Sequence, residues 1–303
     1  MTPDFLQHLL SPLGNELEYR EAQHALIDQE TKDVFPIENG VPVLLPREAE
    51  KRAVEVTLSN GVRAKFFYLD HYRQDAAAFD HFEAFPGGAS RHENRRLHEL
   101  ILSRIPENAT RILDVGCGNA WVAAAFANTN KTVFSMDVSL TKPAKALQKY
   151  PFAEHYALVG DVYALPFRDN QFDAIIAAEV MEHTPDPAGF IKKLLRVLKP
   201  GGTLLITTPY DERIPHSLCV HCNRVTPHNA HLHSFNAQNV GELLPERAVL
   251  DWKTNTFVNK MLVKLRTHHF LQYLPFSWWK KVDALANRLF SKPLRLLITI
   301  RKS

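Results

Sequence analysis

Residues 111–126 read RILDVGCGNAWVAAAF. An apolar run, Arg111 to Val115, carries an acid at Asp114 and has the length of a short buried strand. Gly116 and Gly118 follow as a Gly-x-Gly turn, and from Trp121 the Ala-rich stretch reads as a helix start. A glycine turn between a strand and a helix lets backbone approach a ligand closely. A dinucleotide, a phosphate and S-adenosylmethionine are all candidates for that ligand.

Outward from this turn, strands and helices alternate. TVFSMDVS (132–139), HYALVGD (155–161), FDAIIAAEV (172–180) and TLLITTP (203–209) read as further strands. PAKALQKY (143–150) is a helix begun by Pro143 near its first turn. PAGFIKKLLRVL (187–198) is a helix stopped by Lys199-Pro200-Gly201-Gly202. Alternation of this kind predicts an α/β fold, a parallel sheet with helices on both faces. Just upstream, RHENRRLHELILSRI (91–105) places Leu97, Leu100, Ile101 and Ile105 on one helical face with charges opposite.

Ligands of such sheets bind at the carboxyl ends of the strands. Asp137 ends the second strand nineteen residues after Gly118, the place of an acid that grips ribose hydroxyls. The ligand therefore contains an adenosine on this reading. A dinucleotide fingerprint needs a small residue at position 121, where this chain has Trp121. A pyrophosphate wants no carboxylate beside its helix N-terminus, and Asp114 stands just before the turn. The phosphate-loop pattern G-x-x-x-x-G-K-[ST] is absent. An acid before the turn, an acid after it and a bulky Trp121 together favour a cationic ligand, S-adenosylmethionine.

ILDVGCGNA (112–120), SMDVS (135–139), GDVYALPFRDNQFDAIIAAEVMEHTPDP (160–187) and LLRVLKPGGTLLITTP (194–209) resemble the successive motifs of class I S-adenosylmethionine-dependent methyltransferases. The similarity is greatest to the ubiquinone and menaquinone biosynthesis type and covers residues 90–210. One departure is Ala120, where that family often has a third Gly. The resemblance implies a Rossmann-like class I methyltransferase sheet. It implies that Asp114 faces the methionine amino group and that Gly116, Cys117 and Gly118 line the cofactor. Asp137 takes the ribose hydroxyls, and Val138 or Ser139 flanks the adenine. Asp161 accepts from the adenine amino group with the Val162 amide nearby, and Glu179 to Met181 close the floor beside the sulfonium. S-adenosylhomocysteine is the implied product. The residues also allow plainer roles: Asp161 capping a turn, and Cys117 as a small packing residue.

Methyl transfer is an in-line displacement in which positioning supplies much of the acceleration. A base is needed only where the acceptor loses a proton. His183 follows the fourth strand, and its ordinary pKa suits a general base; a structural histidine bonded to a loop fits equally. Glu182 is open in the same way. The activity expected is methyl transfer to a small-molecule or lipid-linked acceptor. The competing readings are a non-catalytic binding module of the same fold and an RNA or protein methyltransferase. The retained Asp114, Asp137 and Asp161 speak against the first. No nucleic-acid module or NPPY-like motif supports the second.

Residues 1–50 are short and turn-rich. FPIENGVPVLLP (35–46) holds two strand-like pieces around the turn pair Asn39-Gly40. This segment resembles the small zinc-ribbon family of methyltransferase activators. Its cysteine positions are filled here by Ser11, Gly14 and Asp28, so a degenerate ribbon without thiolates or metal is expected, packed in cis. Residues 51–90 read as linker and lid helices, and 91–303 as the methyltransferase domain with insertions at 210–236 and 259–294. VLDWKTNTFV (249–258) and RLLITIRK (295–302) look like the last two strands of this fold, an antiparallel hairpin.

Two features remain. HSLCVHCNRVTPHNAHLHSF (216–235) has Cys219 and Cys222 at the spacing of half a zinc site, followed by His228, His231 and His233. It reads either as a closed structural zinc site of Cys219, Cys222, His231 and His228 (or His233), or as a His-rich loop with two unrelated thiols. Second, net charge is only +3, yet from Trp252 to Ser303 there are eleven Lys/Arg against one acid, Asp283. Interleaved aromatics, Trp278 and Trp279 among them, make 259–294 either a solvated basic face over an aromatic core or a cover of the acceptor site touching an acidic membrane surface. Composition is that of an ordinary globular chain, 45% hydrophobic and 23% charged. No run is long enough to span a membrane. The first residues lack a basic n-region and a cleavage site, so no signal peptide is expected. Three cysteines, an odd number, do not form a secreted disulfide framework. A reducing cytoplasm is the compartment expected from these features.

Overall fold

The computed structural model describes all residues except Met1, Glu48, Arg52, Ser59, Asn60, His81, 83–86, 220–222, Glu246 and Arg247. At the N-terminus, α1 (Pro3–Leu6) leads into β1 (Leu17–Arg20), β2 (Ala25–Asp28), β3 (Val34–Glu38) and β4 (Val41–Leu44). These strands meander antiparallel. Asn39 (φ 52°) and Gly40 (φ 80°) make the β3–β4 turn with two left-handed residues, the conformation that matches strand twist in a tight hairpin. Residues 51–90 hold a separate hairpin, β5 (Val54–Thr57) and β6 (Arg63–Phe66), then α2 (Tyr68–Ala78) and the start of α3 (Gly88–Leu102). The expected lid helices are therefore a hairpin plus one helix. The β-branched alternation of VEVT explains the strand.

The alternating part follows as β7 (Arg111–Val115), α4 (Trp121–Phe126), β8 (Thr132–Asp137), α5 (Thr141–Lys149), β9 (His155–Gly160), β10 (Phe172–Ala178), α6 (Pro187–Val197) and β11 (Leu198–Pro209). Asp186 caps α6, its carboxylate accepting from the Gly189 amide at 2.9 Å. Beyond lie the small hairpin β12 (His216–Leu218) and β13 (Val225–Pro227). The chain closes with β14 (Val249–Asn259), α7 (Lys260–Lys264), α8 (His268–Leu271), α9 (Phe276–Leu289) and β15 (Pro293–Lys302).

One sheet of eleven strands results, in the order β1-β2-β3-β4-β9-β8-β7-β10-β11-β15-β14. From β9 to β11 all neighbours are parallel, and β15 pairs antiparallel with both β11 and β14. The order reverses at β7, so the crevice outside its carboxyl end is where a ligand sits in sheets of this kind. β4 pairs parallel with β9 through Val43–Val159 and Leu44–Gly160. The N-terminal strands thus extend the central sheet and cover its edge, which an unpaired β9 would otherwise expose.

The two faces of the sheet carry separate cores, because side chains alternate along a strand. Leu113, Val115, Phe134 and Ile175 face α6 and the N-terminal unit, including Phe5, Leu9 and Leu26. Ile112, Val133, Ala174 and Ile176 face α3, α4 and α5, with Leu97, Leu100, Ile101 and Trp279. Phe5 stacks on Tyr156 with ring centroids 4.6 Å apart. The supposedly charged face of α3 is breached by Arg96, which is 0% exposed. Its guanidinium reaches Glu99 and the carbonyls of Leu271 and Leu274 and lies 5.2 Å from the Trp279 ring centre. Trp279 is therefore core, not surface. The segment α7–α9 packs on α3 and β14.

Where the ribbon resemblance places cysteines, a hydrogen-bonded cluster stands instead. The Ser11 hydroxyl accepts from the amides of Leu13 and Asn15, each at 3.2 Å. The fully buried Asp28 carboxylate accepts from the Asn15 side chain and the Glu30 and Thr31 amides. Burial pushes the Asp28 pKa up, but the Ser11, Thr31, Glu30 and Asn15 hydrogen bonds outweigh it and hold it at about 2.

Candidate functional site

A cavity of about 930 Å³ opens at the carboxyl ends of β7, β8, β9 and β10. Its floor is the turn after each strand. At the first turn Gly116 has φ 69°, and a Cβ there would meet the Val180 side chain at 2.6 Å, so the position requires glycine. Ala120 takes φ 58° just before α4, which explains the strained fit of a residue other than Gly there. Trp121 lines the cavity and stacks on His98 with ring centroids 4.0 Å apart.

Three acids stand at successive strand ends. Asp114 is buried one residue below the cavity wall, its Oδ2 without a hydrogen-bond partner. Burial, with the Asp137 charge second, pushes its pKa up to about 8. Asp137 lines the cavity; its Oδ1 accepts from the Ser139 amide at 3.0 Å and hydroxyl at 3.1 Å. Lys142 lies 3.8 Å from its Oδ2. Asp161 caps the turn after β9 by accepting from the Tyr163 amide at 3.0 Å, and its other oxygen accepts from the Tyr68 hydroxyl of α2. Val138 and Val162 line the same wall. Cys117 is 1% exposed, and burial together with Asp137 and Asp114 raises its thiol pKa well above the ordinary value. It is therefore a packing thiol rather than a nucleophile.

Glu179 sits at φ 56° after β10 and pairs with Arg295 of β15. His183 lines the cavity beside Tyr72, ring centroids 5.5 Å apart. Burial, with the His231 charge second, drops its pKa to about 4, so it is a neutral imidazole at neutral pH, its Nδ1 3.4 Å from the Ala230 carbonyl. Glu182 is buried, and burial pushes its carboxyl up to about 8.

The cover comes from β5–β6, α2, the β12–β13 hairpin and the turn after it, through Phe66, Tyr72, Thr226 and Ala230. No described residue of 259–294 lines the cavity; the covering role expected for that insertion belongs to these elements, because the inner side chains of α7–α9, Trp279, Val263, Leu271 and Phe276, pack into the core with Leu97 and Ile101 of α3 instead. Of the histidine–cysteine set, His231 turns to Glu212, its Nδ1 2.5 Å from the carboxylate. His228 is exposed and Cys219 half-buried. Cys222 lies outside the described residues. Sequence reasoning missed Tyr68, Tyr72 and Arg295. The aromatic and histidine density of FYLDHYRQD (67–75) is the one signal that marks α2 as a site element.

Residues 113–206 match the family described as Methyltransferase domain. The chain is 32% identical over 162 residues to a Mycolicibacterium smegmatis protein named "Probable S-adenosylmethionine-dependent methyltransferase", covering 52% of this chain and 60% of the relative. It is 32% identical over 151 residues to the ubiquinone biosynthesis O-methyltransferase of Xylella fastidiosa, covering 46% of this chain and 60% of that one. The chain thus spans about three-fifths of each of these curated relatives. A chain of the Haloferax volcanii complex between the Trm112 methyltransferase activator and a methyltransferase superposes with TM-score 0.51 at 18% identity, covering 78% of this chain and 98% of that one. The mostly parallel sheet with helices on both faces is the fold that the two chains share. Among the described residues no helix is long and apolar enough to cross a membrane.

Proposed function

We propose that this chain is an S-adenosylmethionine-dependent methyltransferase acting on a small-molecule or lipid-linked acceptor. The observation that carries the reading is the buried Asp114 carboxyl with a free Oδ2 beneath the glycine turn. A phosphate would leave that oxygen unsatisfied, whereas a cationic amine supplies the missing partner and favours the ionised carboxylate. S-adenosylmethionine, when bound, brings a methyl group already activated by positive sulfur. The chain's own residues then bind and orient. Asp114 meets the ammonium, Asp137 the ribose hydroxyls, and Asp161 the adenine amino group after Tyr68 releases it. Glu179, held by Arg295, closes the floor, and His183 and Tyr72 face the acceptor side. The similarity to the two curated methyltransferases supports this class of activity.

For the partner surface we read α8 and α9 as a peripheral contact with anionic lipid. Phe270 is 80%, Tyr273 81% and Trp278 61% exposed. The segment's one acid, Asp283, is turned inward to accept from the Val258 and Asn259 amides at 3.0 and 2.7 Å, so its outer charges are cationic. The basic–aromatic face fits a headgroup layer. The N-terminal strands are read as a metal-free, ribbon-like unit fused in cis, and the compartment as a reducing cytoplasm. A tritiated methyl-transfer assay on cell extract, separated into lipid, small-molecule, nucleic-acid and protein fractions, tests the assignment. Label in the lipid or small-molecule fraction is expected. Label confined to RNA or protein would replace the acceptor class, and no label in any fraction would favour a binding module.

A further inference from the structure

Beside the acceptor side of the cavity, a group of side chains converges that methyl transfer does not itself require. Glu182 and His183 come from the turn after β10. His231 comes from the insertion after β11. Their ligand atoms all lie within 4.8 Å of one another. The two imidazoles are arranged alike. His183 presents Nδ1 to the Ala230 carbonyl at 3.4 Å, and His231 presents Nδ1 to the Glu212 carboxylate at 2.5 Å. A proton on Nδ1 in each bond leaves Nε2 as a bare lone pair. An imidazole held through its other nitrogen by a carbonyl or carboxylate is the second-shell arrangement of metal-binding histidines. Glu182 supplies the independent observation: it is 1% exposed, and its Oε2 has no hydrogen-bond partner. A buried carboxyl oxygen without a partner is costly unless a ligand meets it.

We propose that His183, His231 and Glu182 bind one divalent transition-metal ion, with Glu212 orienting His231. Two imidazoles and a carboxylate suit zinc and its first-row neighbours rather than calcium or magnesium. Closing from the observed spacing to the roughly 3.3 Å between ligands of a tetrahedral ion asks for side-chain shifts of about an ångström. Three protein ligands leave a coordination position open, as in catalytic rather than structural sites. His183 lines the cavity, so that position is reached from the acceptor side and admits an oxygen donor, a water or an acceptor hydroxyl. The hydroxyl rests on the proposed methyl transfer, whereas the metal site does not. The site differs from a cysteine-based one in its ligands and in being open.

The test reads metal binding without cofactor or acceptor. Protein made without a histidine tag is stripped with chelator and titrated with Zn²⁺ against a fluorescent competitor, then with Co²⁺ by visible absorption. Expected are about one ion per chain and a cobalt spectrum without a thiolate charge-transfer band. His183→Asn and His231→Asn should each weaken binding at least about tenfold, and Glu212→Gln by about 10- to 100-fold. Cys219→Ser and Cys222→Ser should change nothing. Circular dichroism and thermal melts check that each variant folds; Glu212→Gln, at a partly exposed position, serves where a histidine variant does not. Substoichiometric binding by wild type, or unchanged affinity in folded His231→Asn or Glu212→Gln, overturns the proposal. Loss of binding in either serine variant also overturns it and moves the ion to the thiolates. Cofactor titration of the same samples keeps a failure of the methyltransferase reading separate from a failure of the metal site.

Discussion

Asp114 carries a carboxyl that burial, helped by the Asp137 charge, lifts from 3.8 to about 8. In the empty cavity it therefore holds its proton at neutral pH. A raised acid pKa means that folding is favoured while the group stays protonated, and that this stability is lost as pH climbs from 3.8 towards 8. A cationic amine reverses the balance, because it favours the ionised form. Cofactor binding to the wild type should then release a proton below about pH 8 and tighten as pH rises to that value. Titration calorimetry in buffers of different ionisation enthalpy reads the proton directly; an identical heat in all buffers counts against the assignment. Asp114→Asn should make the apo protein more stable by about 1–3 kcal/mol near pH 9 while losing cofactor affinity. Thermal melts at about pH 6 and about pH 9 measure the difference, which should grow with pH.

Among the elements, the N-terminal strands make the sharpest claim. They cover the β9 edge and bury Phe5, Leu9 and Leu26 in the same core as Phe134. Removing residues 1–50 should lower the melting temperature and promote aggregation, and Phe5→Ala alone should cost about 3 kcal/mol in urea unfolding. An unchanged melt after the deletion would mean the unit is dispensable. Asp28, held at about 2 by its hydrogen bonds, adds stability that is present above its ordinary 3.8 and lost as pH falls through about 2. Asp28→Ala should therefore cost about 2 kcal/mol at neutral pH, with a smaller gap in acid. β7, β8, β9 and β10 were legible because a strand buried on both faces shows as a continuous apolar run, and Asp137 and Asp161 mark where two of those runs end. The pairing of β4 with β9 was not legible, since VPVL reads the same whether its neighbour is a hairpin mate or the central sheet. Nor was the approach of His231 to Glu182 and His183, forty-eight residues apart for the histidines; only the fold brings them together. Which of the adjacent Trp278 and Trp279 meets α3 was not legible, because the amphipathic pattern of α9 does not decide between them.

At the scale of the whole molecule, the cavity and the charged surface are separate structures, the cavity at the strand ends and the basic–aromatic face on α8 and α9. Vesicles with anionic lipid should float the wild type at low salt and release it as salt screens the attraction. Replacing Phe270, Tyr273 and Trp278 together by Ala should abolish flotation without changing the melting temperature. Equal flotation on neutral vesicles would overturn the preference for anionic lipid, and no flotation at all would leave the face a solvated one. The central claim is that the cavity binds S-adenosylmethionine through the three strand-end acids. Calorimetric titration of wild type and Asp137→Ala with S-adenosylmethionine tests it most directly. The account predicts one site per chain and an affinity at least about tenfold weaker in the variant, the loss of charge-assisted hydrogen bonds. Wild type without binding, or a folded Asp137→Ala that binds equally well, would contradict it.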